Sequence, residues 1–247
     1  MAGVVSNKHV IRYQHIAGSF RKVNSNPYKS LYLIGKRAFD IFVSLLVICL
    51  VLSWLIPIVA ILIKLDSNGP VFFTQLRVGF LGRNFRCIKL RTMVVNEDSD
   101  SLQARENDPR ITKLGRFLRI TSLDELPQFF NVLIGDMSIV GPRPFMKSDD
   151  ENFQQVVSNY ELRYFAKPGI TGMAQVKGYR GPAVSFHSIF HRYQWDAFYI
   201  RNACPSLDFK IIRLTAKQTI ESIFSFKNKK ADRMTRGEAS FLLDNLR

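Results

Sequence analysis

Acidic residues are scarce in this sequence. Asp and Glu number 20 against 35 Lys and Arg, a formal net charge of +15 over 247 residues, and none of the acidic residues precedes Asp40. A surplus of that size calls for an anionic partner: nucleic acid, an acidic membrane or phosphorylated small molecules. Cysteine is also sparse. Cys49, Cys87 and Cys204 stand far apart and form no CxxC, so they read as unpaired thiols in a reducing compartment. No HExxH surrounds His187 and His191, and their i, i+4 spacing suits a helix surface or packing better than a metal. Helix-turn-helix, zinc-finger and RNA-binding signatures are absent, as are internal repeats and low-complexity stretches. The length and a hydrophobic fraction of 47% support one sizeable domain plus an appendage.

Against this basic background one stretch carries no charge at all. Ile41 to Ile63 are 23 uncharged residues, roughly 35 Å as a helix and enough to cross a bilayer core. The stretch starts too late, runs too long and lacks the small-residue cleavage site of a signal peptide. Seven basic residues precede it (Lys8, Arg12, Arg21, Lys22, Lys29, Lys36 and Arg37), and Lys64 and a basic region follow. The positive-inside tendency places both ends in the cytoplasm. A straight span cannot satisfy that, whereas a helix that dips into one leaflet, bends and returns can. Pro57 lacks the N–H that would bond Ser53, whose hydroxyl can help to satisfy the freed backbone. The expectation is a re-entrant, monotopic helix kinked between Ser53 and Pro57.

The remaining chain reads as α+β and helix-dominated. Residues 69–93 read as a β-hairpin around a turn at Gly79 to Asn84. Residues 95–109 are polar, a mobile loop or short helix. "RITKLGRFLRI" has the helical period, with Arg110, Lys113, Arg116 and Arg119 opposite the apolar face, as an amphipathic interfacial helix would. "GPRP" and "KPGITG" break regular structure, and 185–226 reads as helical. Four segments result: a basic N-terminal stretch (1–35), the membrane helix (36–65), a globular domain (66–226) and a basic tail with a short terminal helix (227–247).

Within "TSLDELPQ" two carboxylates stand together. Either Ser122 is an N-cap with Glu125 at N3, or Asp124 is the N-cap with Pro127 at N3, where its missing N–H costs nothing. The second register is preferred. In both, the helix dipole and free N–H groups favour the ionised forms. Capping can be all the pair does. However, Lys89, Arg91, Arg110, Arg116, Arg119 and Arg143 lie within some fifty residues along the chain. A low-pKa carboxylate among cations suits attack on a pyrophosphate, with an acyl-phosphate intermediate and Mg²⁺ bridging Asp124 and the phosphates. In "IVGPRP" two prolines fix the backbone around Arg143, pre-setting it for bidentate phosphate binding. Gly169 and Gly172 of "KPGITG" could offer an anion nest beside Lys167.

From "KRAFD" (36–40) through "KLDSNGPVFFTQ" (64–75), "KLRTM" (89–93), "DPRITKLGRFLRITSLDELPQFFNVLIGDMSIVGPRP" (108–144) and "KPGITGMAQVKG" (167–178) to "YIRN…LDFKII" (199–212), the chain resembles the bacterial sugar transferase family. These are the monotopic phosphoglycosyl transferases that begin exopolysaccharide, O-antigen or glycoprotein glycan assembly. The resemblance implies transfer of a hexose-1-phosphate from a UDP-sugar to undecaprenyl phosphate at the cytoplasmic face of the bacterial inner membrane, with release of UMP. It implies Asp124 as the nucleophile, supported by Glu125 as a base for the lipid phosphate or through Mg²⁺. Phosphate and nucleotide contacts would come from Lys89, Arg91, Arg119, Arg143, Lys167, Gly169 and Arg180. Membrane lipid is a partner, nucleic acid is not, and a homodimer stays open. Three positions depart from the family pattern. Ser53-Trp54 stands at the usual Ser-Pro, Met173 at a frequent Trp, and Tyr179 before Arg180 where some members place Arg directly. "GYRG" leans towards glucose or galactose. With about 35 residues before the anchor, the chain looks like the compact form. The competing reading is a non-catalytic basic scaffold that binds anionic lipid or nucleic acid and weakens steeply with salt; it gives no reason for the carboxylate pair or the GPRP turn.

Overall fold

The computed structural model describes residues 27–95, 108–181 and 185–244, with side chains within 29–225. The basic stretch before residue 27 and most of the polar 95–109 segment lie outside the described residues.

The apolar segment is a long helix. α1 (Pro27–Val47) runs through one π-helical stretch (Ile48–Leu52) into α2 (Ser53–Asp66). It begins some nine residues before the expected start. Its backbone irregularity lies one turn before the expected Ser53–Pro57 interval: the Ser53 N–H bonds Ile48 O, five residues back. The widened turn loosens carbonyls that side chains then satisfy, with Ser53 Oγ donating to Cys49 O (2.6 Å) and Trp54 Nε1 to Leu50 O (2.8 Å). Pro57 sits inside α2, where it removes one further donor.

This helix has two unlike faces. Leu31, Ile34, Phe42, Leu50, Ile61 and Leu65 are exposed, from 62% to 80%. A contiguous apolar surface of that kind marks a contact face for a membrane or for another protein. The helix is long and apolar enough to cross a bilayer by length and composition. The opposite face is polar near the start: Tyr32, Lys36, Asp40 and Ser44 recur every four residues, one above the other. Tyr32 Oη and Lys36 Nζ donate to Asp208 (2.8 and 2.7 Å), and Asp40 accepts from the Ile139 N–H (3.0 Å). Arg37 donates to the Val132 and Leu133 carbonyls. Near the other end Val59 and Ile63 pack with Leu90 and Leu118, each buried side chain contributing about 1.5–3 kcal/mol. One domain therefore grips both ends of the helix.

The hairpin is as expected: β1 (Phe72–Val78) pairs antiparallel with β2 (Asn84–Leu90). Leu81 and Gly82 take positive φ to close the turn. α3 (Lys113–Thr121) follows, capped by Thr112, whose side chain accepts from the Gly115 N–H. Gly115 is required here, because a Cβ would overlap the Thr92 carbonyl. A 3₁₀ turn (Leu123–Glu125) leads into α4 (Gln128–Ile134). β3 (Ser138–Val140) pairs in parallel with β4 (Gly169–Thr171), and between them lie α5 (Lys147–Val156) and a 3₁₀ stretch (Tyr160–Phe165). α6 (Met173–Val176), α7 (Phe186–Asn202) and α8 (Pro205–Asp244) complete the chain. α8 continues through the expected boundary at 226, so the tail is one helix with what precedes it. The main core joins Phe85 and Cys87 of β2, Val132 of α4, Ile139 and Val140 of β3, Tyr199 and Ile200 of α7 and Ile211 of α8.

Candidate active site

The turn that carries the carboxylates is not a helix cap in either expected register. Ser122 takes a left-handed conformation (φ 61°) that ends α3, and α4 begins only after Pro127, with no side-chain cap bond at either residue. Asp124 and Glu125 therefore lie in the 3₁₀ turn between two helices, 8% and 7% exposed. Packing, not a cap, positions them.

Glu125 is the anchor of a cation cluster. Its Oε1 accepts from Lys89 Nζ and from an Arg143 Nη, both at 2.8 Å. Arg180 approaches Oε2 at 3.6 Å and also donates to Ser122 Oγ (2.7 Å). Each cation arrives on a separately fixed element. Asn131 of α4 ties itself to β2, accepting from the Ile88 N–H (2.9 Å) and donating to Arg86 O (2.8 Å), which sets Lys89 against the turn. Arg143 stands in the GPRP turn. There Gly141 lets the backbone pass against Lys167 O, and the Arg143 carbonyl accepts from buried Arg163 (2.7 Å), itself held by Asp196 (2.8 Å).

The two carboxylates titrate apart. Burial alone would raise Glu125, but Arg143, Lys89 and Arg180 outweigh it and hold the carboxyl well below its usual range. Burial pushes Asp124 up to about 6. The Lys89 charge opposes this, the Glu125 charge adds to it, and Arg119 and Arg143 only partly offset it. The expected low-pKa nucleophile is therefore corrected: in the ligand-free protein Glu125 is the firmly ionised member, and Asp124 is poised near neutrality. Neighbouring carboxyls driven apart by environment take different roles. Asp124 accepts no hydrogen bond from any described residue and sits on the wall of a cavity of about 350 Å³.

That cavity is lined by Arg77, Lys89, Arg91, Arg110, Arg119, Arg143, Arg180 and Arg192, against Asp124 and Asp149 among its carboxylates. Its remaining walls include Phe72, Phe73, Pro144 and Phe145. Of the residues expected from sequence, Lys89, Arg119, Arg143 and Arg180 meet Asp124 and Glu125 here. Arg91 borders the cavity, but its guanidinium donates to Asn68 O and Ser67 O, closing the C-terminal end of α2. Lys167 and Gly169 are not part of the lining. The Gly169 N–H donates to Pro142 O (2.9 Å), so it is not free for an anion nest, and Lys167 lies beside Gly135 and Arg37. Arg77 and Arg192 are additions that motif reading passed over. Arg77 follows Phe73 and Gln75 in the period-2 alternation of β1, and all three line the cavity, a signal visible in the sequence. Arg192 comes from α7, fifty residues past the GPRP turn, and no local pattern marks it.

Among the described residues no three His, Cys, Asp or Glu side chains gather as a metal cage. One carboxylate without a hydrogen-bond partner among the described residues, on the wall of a cation-lined cavity, nevertheless fits the way Mg²⁺ is held when substrate phosphates complete its shell. His187 and His191 lie on α7 with their Nε2 atoms 2.9 Å apart, exposed and apart from this cavity.

A family model described as "Bacterial sugar transferase" matches residues 31–222. The UDP-glucose:undecaprenyl-phosphate glucose-1-phosphate transferase of Klebsiella pneumoniae is 46% identical over 77% of this chain and 41% of its own length. The protein of the same description from Escherichia coli (strain K12) is 45% identical over 76% of this chain and 41% of its own length. "Exopolysaccharide production protein PSS" of Rhizobium leguminosarum bv. phaseoli is 43% identical over 73% of this chain and 92% of its own length. The chain thus spans about two fifths of the first two relatives and nearly all of the third.

Proposed function

Because this chain belongs to the bacterial sugar transferase family, we propose that it transfers hexose-1-phosphate from a UDP-sugar to undecaprenyl phosphate, releasing UMP, as the first membrane step of exopolysaccharide or related glycan synthesis. The observation that carries the reading is Asp124 itself, a carboxylate free of hydrogen bonds on the wall of a cavity ringed by cations. One of its oxygens attacks the phosphorus that bears the sugar. The bond to the UMP oxygen breaks, and UMP leaves with that electron pair. The lipid phosphate then attacks the same phosphorus and restores the carboxylate.

Approach of an anionic diphosphate would raise the Asp124 pKa above about 6 unless its charge is offset. Lys89, Arg119, Arg143 and Arg180 supply that offset, and their field stabilises the charge that builds up on the phosphoryl oxygens. Glu125 keeps Lys89 and Arg143 in place and stays ionised throughout. Mg²⁺ held by Asp124 and the substrate phosphates would neutralise further phosphate charge.

A membrane-dwelling acceptor explains the anchor. Both ends of the α1–α2 helix are held by one domain, so a domain on the cytoplasmic face implies a helix that enters and leaves on that face, bending at the π-helical stretch. Arg91 joins the end of α2 to the cavity wall, which supports a position for Asp124 near headgroup height at the inner membrane. The relatives' names favour glucose, and the sugar is read directly by offering purified protein a panel of UDP-sugars with undecaprenyl phosphate and Mg²⁺, or with EDTA. UMP release that requires a UDP-sugar and Mg²⁺ is expected. No release with any UDP-sugar would refute the reading.

A further inference from the structure

The cavity cations divide by what neutralises them. Lys89, Arg143 and Arg180 share Glu125, and Arg110 is paired with Asp108 (2.7 Å). Arg91 is spent on helix-end carbonyls, and Arg119 flanks Asp124. Arg77 and Arg192 remain. Neither has a carboxylate within 4 Å among the described residues, although Arg192 is only 4% exposed. Arg192 donates to Gly181 O (2.6 Å) and lies 5.2 Å from the Phe145 ring centre. Arg77 donates to Pro144 O (3.2 Å) and to Gln75 Oε1. Both guanidiniums thus flank the Pro144–Phe145 end of the GPRP turn, and both feel the charge of Arg143 in the same turn. Burial lowers the Arg77 pKa and pushes Arg192 down to about 10, which Asp149 and Glu125 for Arg77 and Asp196 for Arg192 only partly offset. A buried charge with no carboxylate in ion-pair contact costs stability that a bound anion would recover.

We infer that Arg77 and Arg192 form a second anion subsite, one that binds a phosphate monoester: the UMP phosphate as it leaves and the lipid phosphate as it enters. The inference rests on the double-displacement reading above. In-line displacement puts the leaving oxygen opposite Asp124 across the reacting phosphorus, and the return attack must come along the same line. A single pair of cations at that position would therefore serve both steps, and Arg77 and Arg192 are two lining cations that form no ion pair among the described residues. Phe72, Val94 and Val95, all exposed, line the same cavity close to the end of the membrane helix, an apolar lip suited to a polyprenyl chain.

The test is equilibrium binding of two probes to the purified full chain in detergent: UMP, and farnesyl phosphate as a short polyprenyl phosphate. Asp124→Asn serves as background so that no covalent chemistry intervenes. The two probes are expected to exclude one another. Arg77→Gln and Arg192→Gln are each expected to weaken both probes about ten- to a hundredfold, the effect of losing a charged hydrogen-bond partner, whereas Arg213→Gln on exposed α8 leaves both unchanged. If a Gln variant unfolds, Arg192→Lys is read instead: retained charge and retained binding of both probes supports the subsite, and loss of binding in a folded Lys variant overturns it. Simultaneous binding of the two probes, or weakening of one alone, also overturns it. Because binding is read without turnover, normal binding with no covalent adduct in the unmutated protein would sink the double displacement and not the anion site.

Discussion

If Asp124 is held in place against its own charge, removing that charge should make the ligand-free protein more stable. Asp124 is 8% exposed, and burial lifts its carboxyl from 3.8 to about 6. Two units correspond to about 3 kcal/mol of strain in the ionised form. The sign follows from the raised value: the folded state is favoured while the group is protonated, below pH 3.8, and that advantage is lost as pH climbs through 6. Asp124→Asn keeps the shape and drops the charge, while its amide gives back about 1 kcal/mol in unmet hydrogen bonds. The variant should therefore gain about 2 kcal/mol at pH 8, a rise in melting temperature of roughly 4–8 °C for a chain of this size. At pH 4 the gain should vanish. Thermal melts of both proteins in the same detergent at the two pH values decide it. An Asn variant no more stable than wild type at pH 8, or a gain of equal size at pH 4, would show that Asp124 is not a strained, desolvated carboxylate.

Glu125→Gln should both slow adduct formation, by freeing Lys89 and Arg143, and move the acidic limb of its pH profile down by roughly one unit, because the like charge beside Asp124 is gone; a limb that stays put or rises counts against the assigned roles. Gly115→Ala should cost about 1–3 kcal/mol and raise the KM for the UDP-sugar, since the added methyl pushes α3 and Arg119 off the Thr92 carbonyl; wild-type denaturation and KM would contradict that packing. Arg37→Ala should destabilise by about 1.5–3 kcal/mol in detergent melts, because it strips the Val132 and Leu133 carbonyls of their donor and loosens the membrane helix from α4; an unchanged melt would mean water satisfies those carbonyls equally well.

Much of the molecule was legible along the chain wherever the signal was periodic or local. The alternation in β1 and β2, the turn between them and the uncharged run from Ile41 to Ile63 each depend on neighbours within a few residues. The same holds for the amphipathic face of α3. The carboxylate turn was misread because Ser122 can end one helix as readily as begin another, and the choice was made by α3, whose left-handed end falls on it. The Asp124 pKa was missed for a related reason. Proximity to cations is visible in sequence, but burial is not, and burial is the larger effect here. The anion nest at Gly169 failed because β3, thirty residues away, claims that strand and Pro142 takes its N–H. Arg192 was out of reach because only the packing of α7 against Phe145 brings it to the cavity.

A covalent bond at Asp124 is the feature most directly open to measurement. Purified protein incubated with a UDP-sugar and Mg²⁺, without any lipid acceptor, should release one UMP and gain the mass of one hexose phosphate, and digestion should place that mass on the peptide carrying Asp124. UMP released only when the lipid phosphate is also present, with no mass gained by the protein, would contradict it.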